Sequence, residues 1–579
     1  MDHLRALATR RVSRRAFLSA AAAGGAGMMA SGLGSLALAA PKRPPDEEAP
    51  WFEATIPDLQ ALMGSGQLSS RELTMAYLRR IERLNPLLGA VIETNPQAIG
   101  IGAQRDAERH RGIVRGPLHG IPVVVKDNIA TNDRMETTAG SYALEGSRVS
   151  ADATLVANLR QAGAVILAKG NLSEWANFRG FPPPDFPFAT NFLNGWSGRG
   201  GFTFDPYLLS FDPCGSSSGS AVTPAANLTA VAVGTETDGS ITCPAGNNLI
   251  IGLKPTIGLI SQSGIVPIAH SQDTAGPMTR TVTDAAIMLN VLKSPWGPVA
   301  GHALPSDYTA FLDPNALQGA RIGIDRRQFL PEYFALPDIN AVVDQAIDAM
   351  ADAGAEIIDP VDPGDPYTWF DAEFLVLMYE FKGDVTAYLS GLRHTEMRTL
   401  ADLIAFNIQH CSQEMRFFGQ EIFEMSEALS GDLTDPEYMN ARALCLELGR
   451  DQGIEAALAA DDLDAILSPS FAFGTSGPAV AGYPLISVPV GISSEGRPAG
   501  VWLSAGFLSE PKLISLAYAI EQILPRTPPE FVGNVPPDPP DAGICAALDS
   551  PAATRGRAQV AQTTRQRVTH GKAGFRPTF

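Results

Sequence analysis

The first long helical pattern along the chain covers residues 68–85. In LSSRELTMAYLRRIERLN the apolar residues recur every three to four positions, which is the spacing of one helix face. Ser69 and Glu72 stand at capping-box spacing, where each side chain accepts a hydrogen bond from the backbone N–H of the other residue. The pattern therefore predicts an amphipathic helix that begins at Ser69 and packs one face against a core.

Helix patterns at 152–163 and 338–353 each end at or next to a glycine and lead into a short apolar run. A glycine at the end of a helix is typical because it adopts the left-handed backbone that closes the last turn. The two runs and two further strand candidates are AVILAK (164–169), AEIID (355–359), GIPVVVKD (120–127) and RIGI (321–324). Helices that alternate with buried strands indicate an α/β fold. We predict a large mixed, mostly parallel, twisted β-sheet with helices on both faces.

The N-terminal segment 1–39 has the layout of an export signal. A basic region precedes a mildly apolar run in RRVSRRAFLSAAAAGGAGMMASGLGSLALAA (10–40), with small residues at Ala37 and Ala39. SRRAFL (13–18) further resembles the twin-arginine signal, which directs the export of folded proteins. A basic transit helix and an uncleaved anchor are the alternatives, and the many Gly and Ala residues favour a cleaved signal. We predict an exported, periplasmic or extracellular protein that meets the membrane only through this segment.

Composition divides the rest of the chain. A Pro-rich, charged linker at 40–50 leads into one domain at 51–525, whose segment 365–460 is predicted to be mostly helical. Residues 176–212, rich in Gly, Pro and aromatic residues, are predicted to be a long loop. The Pro-rich segment 526–579 ends in a basic stretch without acidic residues, which predicts a disordered tail.

Charge and cysteine spacing exclude some classes of function. The formal net charge is −19, and an acidic surface repels phosphate backbones, so we expect no nucleic-acid partner. The five Cys residues form no CxxC pair and show no regular spacing. The sequence therefore predicts neither a disulfide framework nor a zinc site.

Candidate chemistry lies where predicted strands and helices meet turns. Lys126 directly follows the apolar run VVV, and a buried lysine either finds a partner or loses its proton. Three consecutive serines, 216–218, stand in the glycine-rich turn DPCGSSSGSAV (212–222), and Ser240 lies in a second glycine turn, 24 residues after Ser216. Serine becomes a nucleophile when a base takes its proton, and a neutral lysine is such a base.

The motifs around these residues closely resemble those of the amidase signature family, hydrolases of carboxamides. The matching stretches are GIPVVVKDNI, DPCGSSSGSAV, GTETDGSITCPAGNNLIIGLKPTIGLIS, HSQDTAGPMTRTVTDAA and AVAGYPLISVPVG. The similarity runs from about residue 51 to 525, with a signature core at about 115–290. It implies the fold of that family, and it implies neither a metal nor a cofactor.

The resemblance also implies a Ser–Ser–Lys triad. Lys126 matches the family's lysine in GIPVxVKD, and Ser216 matches the bridging serine, which the family holds through a cis peptide, here after Gly215. Ser240 matches the nucleophile of TxGGS, and Ser217 belongs to the supporting loop.

By the same resemblance, the backbone N–H groups of Thr237, Asp238, Gly239 and Ser240 form the oxyanion hole. Asp238 stands where the family's GGSIR has a glycine, and Thr242 stands where many members have an arginine. The variants TETDGS and CGSSSGS most resemble the peptide amidase branch, which removes C-terminal carboxamides from peptides. We therefore predict an amidase that acts on a small-molecule or peptide amide through an acyl-serine.

Several alternatives stay open on the sequence. An aryl- or fatty-amide hydrolase and the glutamine-hydrolysing component of a tRNA-dependent amidotransferase share the same signature. GSSSG (215–219) also fits the GxSxG elbow of α/β-hydrolases, with Ser217 as the nucleophile and His270 or His394 as the base. The elbow needs a preceding strand, and SFDPC does not read as one. A non-catalytic binding protein that kept the fold is disfavoured by the intact triad.

Overall fold

A computed structural model describes residues 48–181 and 194–548. The predicted export signal at 1–39, most of the predicted linker, the middle of the predicted long loop and the end of the predicted tail lie outside the described residues.

An 11-stranded sheet forms the framework of the described residues. The strands are β1 (Val91–Thr94), β2 (Pro122–Lys126), β3 (Val165–Gly170), β4 (Val231–Glu236), β5 (Ile251–Lys254), β6 (Thr274–Thr279), β7 (Arg321–Ile324), β8 (Glu356–Ile358), β9 (Ala465–Pro469), β10 (Leu485–Ile492) and β11 (Pro498–Ser504). Their order across the sheet is β1–β3–β2–β4–β6–β5–β10–β11–β9–β7–β8. Every residue of β2, β3 and β4 is buried, which requires that both faces of this part of the sheet are covered.

Helices cover the sheet and build the segment between β8 and β9. They are α1 (Ile56–Ser65), α2 (Ser70–Leu88), α3 (Ala98–His110), α4 (Thr154–Gln161), α5 (Ser218–Ala225), α6 (Thr242–Asn247), α7 (Val282–Leu292), α8 (Pro337–Asp352), α9 (Phe370–Ser390), α10 (Leu400–Gln409), α11 (Cys411–Glu414), α12 (Glu421–Ala428), α13 (Pro436–Cys445), α14 (Glu455–Ala460), α15 (Ser476–Ala481), α16 (Glu510–Ile523) and α17 (Ile544–Leu548). A π-helical turn, Leu446–Ile454, joins α13 to α14. Among the described helices, none combines the length and apolar character needed to cross a membrane.

The helices predicted from their ends are confirmed. At the start of α2, Ser69 and Glu72 form the capping box in both directions. The glycines after α4 and α8, Gly163 and Gly354, have φ values of 85° and 99°, the left-handed backbone that such ends require. The predicted strands that follow these glycines are β3 and β8, and the segment 365–460 is mostly helical as predicted.

The sheet is mixed, as predicted, but the expectation that it is mostly parallel is wrong. Only four of its neighbouring strand pairs are parallel, β3–β2, β2–β4, β9–β7 and β7–β8. The other six pairs are antiparallel. The alternation of helices and strands that indicated parallel pairing is confined to a few segments, and the β10–β11 hairpin needs no helical crossover.

The predicted disordered tail is corrected for residues 526–548, which are fastened to the body of the protein. The Tyr207 hydroxyl donates to the carbonyl oxygen of Thr527 at 2.6 Å, and Phe531 is only 3% exposed. Further along, the N–H of Ala542 donates to the carbonyl oxygen of Arg416 at 2.9 Å. The high proline content of this segment predicted disorder and gave no sign that Phe531 is buried.

Candidate active site

The predicted lysine and both predicted serines come from segments that meet at one edge of the sheet. β2 and β4 are parallel neighbours, so their carboxyl ends lie at the same edge. Lys126 is the last residue of β2, and Thr235 is the penultimate residue of β4. The loop with Ser216 leads into α5, and Ser240 lies in the connection from β4 to α6. Ligand sites of α/β sheets form at such carboxyl edges.

The Lys126 side chain is completely buried and has three hydrogen-bonding partners. Its Nζ lies 2.7 Å from Ser216 Oγ, 2.9 Å from Thr235 Oγ1 and 3.2 Å from the Thr235 carbonyl oxygen. A neutral amine has two N–H donors and one lone pair. The two oxygens of Thr235 take the donors, which leaves the lone pair to accept the hydroxyl proton of Ser216.

Burial lowers the pKa of Lys126 to about 7, because the charged ammonium loses its hydration. Asp273 and Glu236 act in the opposite direction, since a nearby carboxylate favours the charged form. A lysine with this pKa is largely neutral just above pH 7, and only the neutral form is able to act as a base.

In the loop before α5, the Ser217 hydroxyl is hydrogen-bonded to the backbone. The Gly215–Ser216 peptide is cis, as the resemblance implies. Ser217 Oγ donates to the carbonyl oxygen of Thr235 at 3.0 Å and accepts from its N–H at 3.2 Å. Ser216 and Ser217 are both fully buried, and no strand leads into this loop. A nucleophile elbow needs an exposed serine directly after a strand, so the geometry gives the α/β-hydrolase alternative no support.

The turn at 237–240 has free N–H groups next to a partly accessible serine. Ser240 is 8% exposed, whereas Ser216 and Ser217 are 0% exposed. Gly239 has a φ of 74°, a backbone that a side chain would disfavour. Within the described residues, none of the four N–H groups at 237–240 donates a hydrogen bond. These N–H groups are therefore available to an incoming anionic oxygen, as the predicted oxyanion hole requires.

The two serine segments touch through the backbone. The N–H of Ser217 donates to the carbonyl oxygen of Ser240 at 3.1 Å. Among the described residues, no hydrogen bond joins the hydroxyls of Ser216 and Ser240. The Lys126–Ser216 part of the predicted relay is thus formed, whereas the Ser216–Ser240 part is not. Catalytic hydrogen bonds often tighten only when substrate binds.

Glu236, which the sequence analysis did not single out, holds the start of α6. Its Oε2 accepts from the N–H of Ile241 at 2.7 Å, from the N–H of Thr242 at 2.9 Å and from Thr242 Oγ1 at 3.1 Å. Thr242 therefore bonds to this carboxylate at the position where many family members have an arginine. The contact fixes the start of α6, two residues after Ser240.

Asp273 was also missed, and it fixes the other end of the turn. Its Oδ1 accepts from Thr237 Oγ1 at 2.6 Å, and its Oδ2 accepts from the N–H groups of Ile268 and Ala269. Burial raises the pKa of Asp273 to about 7. The available signal in the sequence was that this acidic residue lies inside HSQDTAGPM, one of the stretches that resemble the family's motifs.

Asp238 shares its surroundings with a second carboxyl group, Glu373 of α9. Burial raises the pKa of Asp238 to about 6, and burial together with the charge of Asp238 raises the pKa of Glu373 to about 8. Glu373 accepts hydrogen bonds from Gln272 at 2.8 Å and from Ser476 at 3.0 Å. The charge of Asp238, which lies in the turn at 237–240, therefore opposes the ionisation of Glu373.

His270 joins the loop before β6 to α9. Its Nδ1 lies 2.8 Å from Asp384 Oδ2 and 3.3 Å from Glu380 Oε2. The hydrogen bond to Asp384 raises the pKa of His270. Within the described ranges, neither His270 nor His394 hydrogen-bonds to a serine of the 216–218 loop.

Two disulfides correct the interpretation of the cysteines. Cys214 is bonded to Cys243 and Cys411 to Cys545, whereas Cys445 is free and buried. Separations of 29 and 134 residues fit no short spacing pattern, so cysteine counting missed both bonds. One signal was present, because Cys214 precedes Ser216 by two residues and Cys243 follows Ser240 by three. If Ser216 and Ser240 lie close together, as predicted, Cys214 and Cys243 also lie close together.

Known proteins are similar to this chain in sequence and in structure. The solved structure of the native peptide amidase from Stenotrophomonas maltophilia is 47% identical, with a TM-score of 0.76, and the match covers 84% of this chain and all of that chain. A relative from Arabidopsis thaliana named "Probable amidase" is 41% identical over 83% of this chain and 92% of its own length.

More distant relatives include an amidotransferase component. One component of the glutamyl-tRNA(Gln) amidotransferase of Halorhodospira halophila is 32% identical over 81% of this chain and 97% of its own length. Residues 72–514 match the family described as Amidase. With a family match over most of its length and relatives above 30% identity along most of theirs, this chain belongs to the amidase family.

Proposed function

We propose that this protein hydrolyses the primary carboxamide at the C-terminus of a peptide, releasing ammonia through an acyl intermediate on Ser240. The observation that carries this proposal is the buried Lys126, which has a pKa of about 7 and lies 2.7 Å from the Ser216 hydroxyl. The substrate class is supported by the 47% identity to a peptide amidase.

The reaction begins with the neutral form of Lys126. Its two N–H groups are held by Thr235, so its lone pair faces Ser216. As the proton of Ser216 moves to Nζ, Ser216 takes the proton of Ser240. Ser240 Oγ then attacks the amide carbonyl carbon, and the carbon–oxygen double bond becomes a single bond to an anionic oxygen.

The free N–H groups at 237–240 stabilise that oxygen. A pre-aimed donor of this kind is typically worth about 3 kcal/mol in the transition state. When the tetrahedral intermediate collapses, the carbon–nitrogen bond breaks and the leaving nitrogen takes a proton from Ser216, which regains one from Lys126. Ammonia leaves, and the acyl group stays on Ser240.

Water completes the cycle along the same route. It loses a proton through Ser216 to Lys126 and attacks the ester, and Ser240 recovers its proton when the carboxylic acid departs. The sum of the steps is one amide and one water converted into one carboxylic acid and one ammonia. Lys126 ends the cycle neutral, as it began.

A panel of amides tests the substrate class. Purified protein is assayed for ammonia release from N-blocked dipeptide and tripeptide amides, free glutamine, anilides and long-chain fatty amides. The proposal expects the highest kcat/KM on the peptide amides and little on the side-chain amide of glutamine. Comparable rates on fatty amides with no release from peptide amides would rule the class out. Turnover of glutamine alone would favour the amidotransferase alternative instead.

The same protein separates an enzyme from a binding protein. A fluorophosphonate reacts with an activated serine, and digestion followed by mass spectrometry locates the adduct. We expect the adduct on Ser240, and the Ser240→Ala variant serves as the control. A folded protein that is not labelled at any serine would indicate a fold kept for binding.

We further propose that the protein works outside the cytoplasm. The segment SRRAFL (13–18) resembles a twin-arginine signal, and two disulfides are typical of an oxidising compartment. Changing Arg14 and Arg15 to lysine together should leave unprocessed precursor in the cytoplasm. Immunoblotting of cell fractions measures the processing of this variant. Normal processing would contradict export by the twin-arginine route.

A further inference from the structure

Three cross-links join the loop that carries Ser216 to α6 and to Asn248, the residue that follows this helix. The disulfide between Cys214 and Cys243 is one of them. The other two are hydrogen bonds from the Nδ2 atoms of Asn247 and Asn248 to the carbonyl oxygens of Asp212 and Pro213, at 2.8 Å and 2.9 Å. On one side all three reach residues 212–214, and on the other they reach residues 243–248.

The loop at 212–216 has little regular structure of its own. It contains neither a helix nor a strand, so its position depends on contacts with its neighbours. Asp212 receives the N–H of Cys214 at 2.7 Å and Asn194 Nδ2 at 3.0 Å, which turns the chain before Ser216. The disulfide attaches the end of this turn to α6.

The position of Ser216 is strictly constrained, because its hydroxyl has to exchange protons with both Lys126 and Ser240. Lys126 is fixed by β2, and Ser240 is fixed by the start of α6 through Glu236. The loop at 212–216 carries Ser216, so its position contributes to the distance between the two serines, together with the hydrogen bond from the N–H of Ser217 to the carbonyl oxygen of Ser240. A displacement of about 1 Å in a catalytic group costs about a hundredfold in rate.

We propose that the disulfide between Cys214 and Cys243 is a positioning element of the active site, which holds Ser216 at the distance from Ser240 that proton transfer needs. Its removal lowers turnover while the sheet and its helices stay folded. The inference rests on the proposed roles of Ser216 and Ser240. Neither cysteine contacts the reacting atoms, so the disulfide acts through the loop.

The disulfide is also open to reduction. Cys214 and Cys243 are both partly exposed, in contrast to Ser216 and Ser217. A dithiol reductant supplies two electrons and two protons, so the sulfur–sulfur bond breaks, two thiols form and the reductant closes to a cyclic disulfide. A thiol-rich environment therefore lowers the activity of this protein, and reoxidation of the disulfide restores the activity.

The second disulfide provides a matched control. The bond between Cys411 and Cys545 fastens α11 to α17 and touches neither the 212–216 loop nor α6. Its loop of 134 residues is much longer than the 29 residues closed by the first bond. Chain entropy therefore predicts that removing the second bond costs at least as much stability as removing the first.

The test compares two double variants, Cys214→Ser with Cys243→Ser, and Cys411→Ser with Cys545→Ser. We measure kcat and KM on a peptide amide, the rate of fluorophosphonate labelling of Ser240, the pH profile and the thermal midpoint. For the first pair we expect kcat and the labelling rate to fall at least tenfold, with KM changed less than threefold. The pH midpoint should stay in place, because the burial of Lys126 is untouched. For the second pair we expect kcat within twofold of the parent.

A kcat within twofold of the parent in a folded first pair would overturn the proposal, whatever the thermal midpoint. If the first pair does not fold, the folded parent is reduced and alkylated, and mass spectrometry identifies the opened cysteines. Activity that falls as Cys214 and Cys243 open, and returns on oxidation, supports the proposal; activity unchanged by their opening refutes it. An intact protein that is never labelled at Ser240 contradicts the proposed function and this inference together.

The asparagine contacts sharpen the test. Asn247→Ala removes one cross-link and leaves the disulfide and Asn248 in place. If the links share one task, the loss of kcat caused by Asn247→Ala is larger in the disulfide-free protein than in the parent. Equal losses in both backgrounds would mean that the disulfide and Asn247 do not act on the same distance.

Discussion

Replacing Lys126 with arginine tests whether this side chain works as a base or only as a positive charge. Arginine keeps its proton at every pH that the protein tolerates. If Lys126 is the base, Lys126→Arg is therefore as inactive as Lys126→Ala. If the charge alone matters, the arginine variant keeps near-normal activity and the relay proposed here is wrong.

The magnitude follows from the pKa of about 7 for Lys126. The neutral fraction of such a lysine rises from about one tenth at pH 6 to about nine tenths at pH 8. We therefore expect kcat/KM of the parent protein to rise about tenfold over this range and then to level off. With an ordinary lysine pKa near 10.5, less than about 1% would be neutral at pH 8, and the rise would continue to pH 10.

The assay is ammonia release from an uncharged, N-blocked peptide amide between pH 5.5 and pH 9.5. Asp273→Asn tests the direction of the pKa shift. The Asp273 carboxylate raises the pKa of Lys126, so removing the carboxylate should lower that pKa. The midpoint of the rise should then move to lower pH, by no more than about one pH unit. Asp238→Asn is the control, since Asp238 does not contribute to the pKa of Lys126. A midpoint that moves in the Asp238 variant and not in the Asp273 variant would assign the titration to Asp238.

Two further predictions separate the serines and test the tight loop. Ser240→Ala should lower kcat at least about 10³-fold, whereas Ser217→Ala should keep measurable turnover, because within the described residues the Ser217 hydroxyl bonds only to the Thr235 backbone; equal losses measured in one ammonia assay would contradict the assignment. Gly215→Ala should lower both kcat and the thermal midpoint, because a Cβ there collides with Ser173 Oγ and lies 2.9 Å from Asn194 Oδ1. Gly100→Ala in α3, where a Cβ meets nothing within 4 Å, is the control and should leave kcat unchanged.

The fold was predictable where local chemistry fixes an element by itself. The capping box at Ser69 and the glycines after α4 and α8 act within one turn, so the sequence alone locates those ends. The direction of a strand cannot be predicted in this way, because an apolar run does not show which strand it pairs with. β6 reads TAGPMT, with a glycine and a proline, and it becomes a strand only because it pairs with β4 and β5.

The candidate site was predictable through its motifs and much less through its partners. Lys126, Ser216 and Ser240 stand in long motifs that resemble a known family. Thr235, which holds the lysine, acquires this role only when β2 and β4 are adjacent. A sequence shows a residue type and its spacing, whereas a hydrogen-bond partner 109 residues away depends on the order of strands in the sheet.

A neutral lysine weakens the fold that contains it, and this accounts for the density of contacts around it. Between about pH 7 and pH 10.5 the unfolded chain binds the Lys126 proton and the folded chain does not, so stability falls as the pH is lowered through this window. Below pH 7 the full cost is about 5 kcal/mol, a large fraction of the stability of an ordinary domain. The cost is inseparable from the proposed chemistry, because an ammonium stabilised by a paired carboxylate would no longer be a base. Stability therefore has to come from groups that leave the lysine uncharged, and Thr235, the asparagines at 247 and 248 and the disulfide at Cys214 meet that condition.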